Sequence, residues 1–401
     1  MFNKEESKQR RCSGKAIAFY APLKSPDHPI PSGDRKIARL FISALEASGY
    51  NVELASRLRT FDKKGDVARQ QRIITIAERE AERILRRWRR EDFQPIAWFS
   101  YHLYYKAPDL IGPIICRQLN IPYLLAEASW AAKRERGGWS LYHQYVDAAL
   151  QMADSVLCIN PTDLAALHSY YQTKCLANPL AKSPVVSISA FIDAPGVNNS
   201  DEGILQREEI ASQFGLVLER PWLIVVAMMR SGDKFKSYQL LATALGKLEA
   251  SYQLLVVGRG EMHLDIEALF NGQHSVHFAG ALENDLVQKL LPHFEILIWP
   301  AINEAIGMVF LEAQQAGVAV VAGDQGGVSS VVADGESGLL VEATDTDAIA
   351  KAIDSLLADP VKLNLMQRQA KKYVLERHSI AVAANQLKAI VGTLADAYKQ
   401  P

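Results

Sequence analysis

Cysteine is scarce in this chain. Its 401 residues hold four, Cys12, Cys116, Cys158 and Cys175, widely spaced and without a C-x-x-C pair. That excludes a disulfide scaffold or a thiolate zinc site and fits a reducing compartment. A charge excess is also lacking: 44 Lys and Arg face 45 Asp and Glu, a net of −1. So even a balance offers no global attraction to nucleic acid. The nine histidines include no H-E-x-x-H, and His274 and His277 lack a third ligand nearby, so no metal site is expected. No apolar run approaches the ~20 residues that a membrane span needs. The N-terminal "MFNKEESKQRRCSGK" is polar, and the "AIAFYAPL" that follows is too short for a secretory signal. The expectation is a cytoplasmic protein.

What is present is a two-part alternation of strands and helices. The chain is too long for one ordinary core. "KAIAFYA" (15–21) reads as a buried strand, "DRKIARLFISALEASG" (34–49) as an amphipathic helix and "YNVELAS" as a second strand. A long basic helix covers 66–92, and strands follow at 95–102 and 122–129. Pro, Asn, Gly and Ser gather in 181–205, where a linker is expected. The alternation then restarts with "WLIVVAMM", "YQLLVVG", "VHFAG", "EILIWP" and "VAVVAG" as strands. Such a pattern implies βαβ units and parallel sheets. The expected fold is α/β, two doubly wound Rossmann-like domains facing an interdomain cleft. Their bounds are 1–195 and 196–376, followed by a last helix, 377–401. Ligands of such sheets bind beyond the carboxyl ends of the strands.

At one such strand end stands "PAINEAIGMVFLEAQQAGVAVVAGDQGG" (300–327). Glu304 lies in the loop and Glu312 in the helix behind it, and Gly307 allows close backbone approach. Free amides at a helix start attract anions and hydroxyls, and a carboxylate accepts two hydroxyls of a sugar diol. The plainer alternative is that Glu304 favours the helix dipole and Glu312 is solvated.

The E-x7-E pattern of Glu304 and Glu312, with its flanks 316–345, 252–262 and 276–282, resembles the retaining glycosyltransferases of family 4 (glycosyl transferases group 1), which have the GT-B fold. "HPIPSGDRKIARLFISALEASGYNVELAS" is similar to the family's glycine loop, first helix and second strand. The resemblance runs from about residue 15 to 395, is most specific in the C-terminal half, and implies that the last helix, 377–401, packs back on the first domain.

The resemblance implies transfer of a sugar from a nucleotide-sugar donor, UDP-, GDP- or ADP-linked, to a saccharide, lipid-linked or other hydroxyl acceptor, with retention and no metal or other cofactor. Glu304 would hold the donor sugar, helped by amides near Gly307, Met308 and Val309, and Glu312 would hold the ribose. Arg230 and either Lys234 or Lys236 would clamp the diphosphate. Gly258 and Arg259 would lie where the base docks. In the first domain Gly33 would approach the donor phosphate or the acceptor, and His102 would contact substrate or tune proton transfer. Where many relatives carry a histidine this chain has Glu127, which either orients the acceptor hydroxyl or is a hydrogen-bonded structural residue. Two further departures are Ser32 in place of a glycine and Ser329–Ser330 in place of a glutamate.

The stretch 69–92 carries eight arginines, and Ile73, Ile74, Ile84, Leu85 and Trp88 form an apolar face. It reads either as a helix lying on the inner face of an anionic membrane or as a solvated helix with Glu–Arg pairs. Two other functions remain open to the same scaffold: a nucleotide-sugar epimerase and a non-catalytic nucleotide-sugar-binding protein.

Overall fold

The computed structural model describes residues 15–30, 32–175, 183–193 and 205–399. It divides into two compact units, Met1–Ile188 with Ile380–Pro401, and Ser189–Ser379.

In the first unit the chain runs β1 (Ala16–Tyr20), α1 (Gly33–Ala47), β2 (Asn51–Leu54), α2 (Val67–Arg90), β3 (Ala97–Tyr101), α3 (Gly112–Leu119), β4 (Tyr123–Ala126), α4 (Ser140–Met152), β5 (Ser155–Cys158), α5 (Pro161–Cys175) and β6 (Val185–Ser187). The strands form one parallel sheet of order β2-β1-β3-β4-β5-β6. β1 and β3 are buried along their whole length, as a sheet covered on both faces requires. β6 falls inside the stretch read as linker; residues 176–182 and 194–204 of that region lie outside the described ones.

The second unit runs α6 (Arg207–Phe214), β7 (Trp222–Val226), α7 (Asp233–Leu245), β8 (Gln253–Val257), α8 (His263–Leu269), β9 (Val276–Gly280), α9 (Asn284–Leu290), β10 (Ile296–Trp299), α10 (Met308–Gln315), β11 (Ala319–Gly323), β12 (Gly338–Val341), α11 (Thr346–Leu357) and α12 (Pro360–Arg377). Its sheet, also parallel, has the order β12-β11-β10-β7-β8-β9. The last helix, α13 (Ile380–Ala397), belongs to the first unit and packs on α1, where Ser48 Oγ donates to the Ala384 carbonyl at 2.8 Å. α12, which the sequence pattern did not separate, starts at Pro360 behind an Asp359 cap.

The apolar face of α2 corrects one expectation. Ile73, Ile74, Ile84, Leu85 and Trp88 are all buried in the first unit's core, Ile84 at 1% and Trp88 at 2% exposure. That face therefore cannot lie on a membrane. The arginines occupy the outer side, where Arg83 pairs with Glu80 and Arg86 with Glu82. Among the described residues no helix is long and apolar enough to cross a membrane.

Candidate active site

In the second sheet, β8 and β9 extend to one side of β7 while β11 and β12 extend to the other side of β10. The loops leaving β7 and β10 therefore flank the point where strand order reverses, the place where open α/β sheets bind ligands. The β7 loop leads through Arg230 to α7, and the β10 loop leads through Glu304 to α10.

Both helices start at a left-handed glycine, Gly232 (φ 79°) and Gly307 (φ 77°), and neither has a side-chain cap. Elsewhere α1, α2, α11 and α12 are capped by Ser32, Asp66, Asp345 and Asp359, while α3, α4, α8 and α9 likewise lack a side-chain cap. An uncapped first turn keeps donors available to an anion. A side chain at Gly307 would also place its Cβ 2.5 Å from the Phe310 ring.

Lys234, in the first turn of α7, pairs with Glu304 Oε2. The same oxygen accepts from Trp299 Nε1 at 3.3 Å, and the Lys234 ammonium stands 5.2 Å from the Trp299 ring centre. Glu304 is 19% exposed, reachable but held. Lys236 is turned outward, 66% exposed, with Asp233 at 3.9 Å as its acidic neighbour. Of the two candidate lysines, the fold brings Lys234 to Glu304.

The β10 loop is fixed from both sides. Ser237 Oγ accepts from Ile302 N at 3.1 Å, and Gly327 N donates to the Glu304 carbonyl at 3.2 Å. Ala301 and Asn303 take left-handed backbone conformations (φ 61° and 50°), which cost of order 1 kcal/mol each and persist only where the surroundings enforce them. Glu312 accepts from Gln288 Nε2 at 2.9 Å and is half-buried; Met308 and Val309 are half-buried in the first turn of α10.

Gly258 and Gly260 have a cause of their own. A Cβ on Gly258 would lie 1.9 Å from the Ala227 carbonyl oxygen, and one on Gly260 2.1 Å from that of Met229. The loops after β7 and β8 pack backbone to backbone here, so these glycines are required by the fold whether or not a base docks beside them. Arg259 and Arg230 are exposed. Glu261, whose carboxylate accepts its own amide and that of Ser231 and lies in the field of Arg230, is held below the usual carboxylate range.

The first unit repeats the logic at the boundary between β1 and β3. Gly33 opens α1 with neither a positive φ nor an atom within 4 Å of its would-be Cβ, so no packing demand explains it. His102, just past β3, is left-handed (φ 61°), and its Nδ1 donates to Asp34 Oδ1 at 2.9 Å. That hydrogen bond is the main reason the Asp34 carboxyl is held below its ordinary range. Since a carboxylate only accepts, the contact puts a ring proton on Nδ1 and leaves Nε2 as acceptor in the neutral imidazole.

Glu127, just past the neighbouring strand β4, is also left-handed (φ 55°), but one carboxylate oxygen accepts the Ile159 amide at 2.6 Å. It ties the β4 end to the β5 end, and burial pushes its carboxyl up. The bond gives Glu127 a structural tie through one carboxylate oxygen, and its carboxyl also lies in the field of His102.

Two residues of these sites escaped the sequence reading. Asp34 looks like any acid in a first helical turn, and Trp299 like one more apolar residue of a buried strand.

The family model of glycosyl transferases group 1 matches residues 206–373. Over 106 residues the chain is 38% identical to the alpha-maltose-1-phosphate synthase of Mycolicibacterium smegmatis, a stretch covering 25% of this chain and 27% of that relative. The likeness to this curated relative thus spans about a quarter of its length. Among solved structures, the sucrose-phosphate synthase of Thermosynechococcus elongatus superposes with a TM-score of 0.69 at 17% identity, covering 96% of this chain and 100% of the other. Anabaena HepE, solved with UDP and glucose, gives 0.65 at 15% identity, covering 95% and 100%. The fold is GT-B. Its second unit holds both the family match and the Lys234–Glu304 pair.

Proposed function

We propose that the protein is a retaining glycosyltransferase that takes a sugar from a UDP-, GDP- or ADP-linked donor. The observation that carries the proposal is the Lys234–Glu304 pair, set between two uncapped helix starts at the strand-order reversal of the second sheet. A nucleotide sugar presents a diphosphate and a sugar diol a few bonds apart. Lys234, Arg230 and the amides of α7 and α10 suit the first; Glu304 suits the second, and Glu312 the ribose. Without donor, Lys234 and Glu304 neutralise each other; with donor, each exchanges its partner for a ligand group. The group 1 match and the UDP and glucose of Anabaena HepE agree with that ligand class.

When the glycosidic bond breaks, the departing diphosphate gains negative charge. Lys234, Arg230 and the helix starts stabilise that charge as it develops, the role a divalent cation has in other transferases. In the first unit, Gly33 leaves room for a ligand atom next to the backbone, and the Asp34-oriented His102 offers Nε2 to the acceptor hydroxyl. The test is transfer with Glu304→Gln and Lys234→Met, assayed against UDP-, GDP- and ADP-sugars. Both variants should lose transfer while remaining folded; full activity in Glu304→Gln overturns its role.

A further inference from the structure

Beside His102 the first unit carries a cluster of rings and cations with no carboxylate in ion-pair contact among the described residues. His102 meets Tyr104 at 5.2 Å between ring centres, and Tyr104 meets Tyr105 at 5.5 Å. Tyr105 in turn meets Trp139 edge-on at 5.5 Å. Two cations share that last pair of rings. The Arg134 guanidinium stands 4.8 Å from the Tyr105 centre and 4.9 Å from that of Trp139; the Lys106 ammonium stands 5.6 Å and 5.4 Å away.

Neither cation has an acidic partner within 4.0 Å among the described residues. The nearby carboxylate of Asp62 accepts the amides of Lys64 and Asp66 and the side chain of Gln70 and pairs with neither cation. Arg134 Nε is buried against the rings without a hydrogen-bond partner. Two like charges gathered over one pair of rings repel each other, and a bound anion relieves that repulsion.

The cluster is also built rigidly. Trp139 Nε1 donates to the Asp62 carbonyl at 3.3 Å, and Gln70 Nε2 donates to the Gly138 carbonyl at 2.8 Å. A Cβ on Gly138 would sit 2.4 Å from the Gly65 carbonyl oxygen, so the two loops are locked together. Rings and cations are thus positioned before any ligand arrives.

We propose that Arg134 and Lys106, on the Tyr105–Trp139 platform, form an anion subsite, and that the acceptor is an acidic saccharide whose carboxylate or phosphate docks there. The inference rests on the transferase reading for the ligand's role as acceptor. Aromatic edges and faces suit the apolar faces of a sugar, and the guanidinium fork suits a planar or tetrahedral oxyanion.

The test is calorimetric titration of the full chain, with UDP, GDP or ADP present in turn, against methyl glucoside, methyl glucuronide and glucose 6-phosphate. At least one acidic probe should bind roughly tenfold more tightly than the neutral one, with a preference that falls as salt rises. A winning glucuronide marks a uronic acid acceptor; a winning phosphate marks a phosphorylated one. Arg134→Gln with Lys106→Gln should abolish the preference, and Arg134→Lys should keep most of it. Should the double variant lose its thermal transition, Lys106→Gln alone should lower the preference several-fold. A thermal shift with UDP, GDP or ADP, whichever binds, unchanged across the variants, separates the two readings. If one of the three nucleotides binds and acidic and neutral probes bind alike, or no probe binds, the subsite is overturned and the transferase reading stands. If acidic probes are preferred and no nucleotide binds, the subsite stands and the transferase reading falls.

Discussion

Lys234 and Glu304 form an ion pair that joins the first turn of α7 to the loop after β10, across the reversal of strand order in the second sheet. Seventy residues separate them in the chain, and no local pattern pairs them. Lys236 is only two residues further on but is turned to solvent. Lys234→Met should therefore weaken donor binding roughly tenfold or more, the usual scale for one lost charge-assisted hydrogen bond. Lys236→Met should leave donor affinity within about twofold, since an exposed i,i+3 pair contributes little. Titration of both variants with the same nucleotide sugar checks the contrast, and equal losses would contradict the assignment.

Three glycines predict opposite outcomes. Gly258→Ala and Gly326→Ala each place a Cβ about where a carbonyl oxygen stands, 1.9 Å from Ala227 O and 2.0 Å from Glu304 O, and both have positive φ. Each should lose about 1–3 kcal/mol, a fall in melting temperature of roughly 2–4 °C per kcal/mol. Gly33→Ala has open space and ordinary φ, so its melting temperature should hold or rise slightly. A fall in activity at unchanged stability would then mark ligand approach at Gly33.

The Asp34–His102 contact makes a pH prediction. The Asp34 carboxyl is depressed in the fold, so its contribution to stability is present above its unfolded pKa of about 3.9 and is lost as pH falls through the lower folded value. Asp34→Asn should thus melt below the native protein near neutrality and converge with it in acid. Activity should fall in the same variant, because the amide no longer fixes the His102 tautomer. Melting curves from pH 7 down to pH 3 follow the convergence; a constant gap would contradict it.

Ile84 tests the placement of α2. It is 1% exposed inside the first unit's core, so Ile84→Ala should cost about 2–5 kcal/mol. Denaturant unfolding measures it. A cost below 1 kcal/mol would show that the apolar face of α2 does not pack inward.

Much of the fold was legible because both sheets are buried on both faces, and "AIAFY", "AWFSY" and "AVVAG" read as continuous apolar runs between helices. Glu304, Gly307 and His102 were legible as candidates because they stand at strand ends or helix starts, and Glu312 by its spacing from Glu304. What was not legible depends on long-range placement. The apolar stripe of α2 has the same periodicity whether it meets a core or a lipid surface, and only the sheet behind it decides. The choice of Lys234 over Lys236 depends on how α7 leaves Gly232, and the Glu127 tie depends on β5 lying next to β4. Helix α12 was hidden because its apolar moment is weak and Asp359 and Pro360 read as a stop rather than a start.

The most direct test of the central claim is the thermal shift of the native protein and of the combined Lys234→Met, Glu304→Gln variant with UDP-, GDP- and ADP-sugars. At a hundred times its dissociation constant, one of these donors should stabilise the native protein by about 2.7 kcal/mol. The combined variant should retain little of that gain. No shift with any of the three donors, or the same shift in both proteins, would contradict the account.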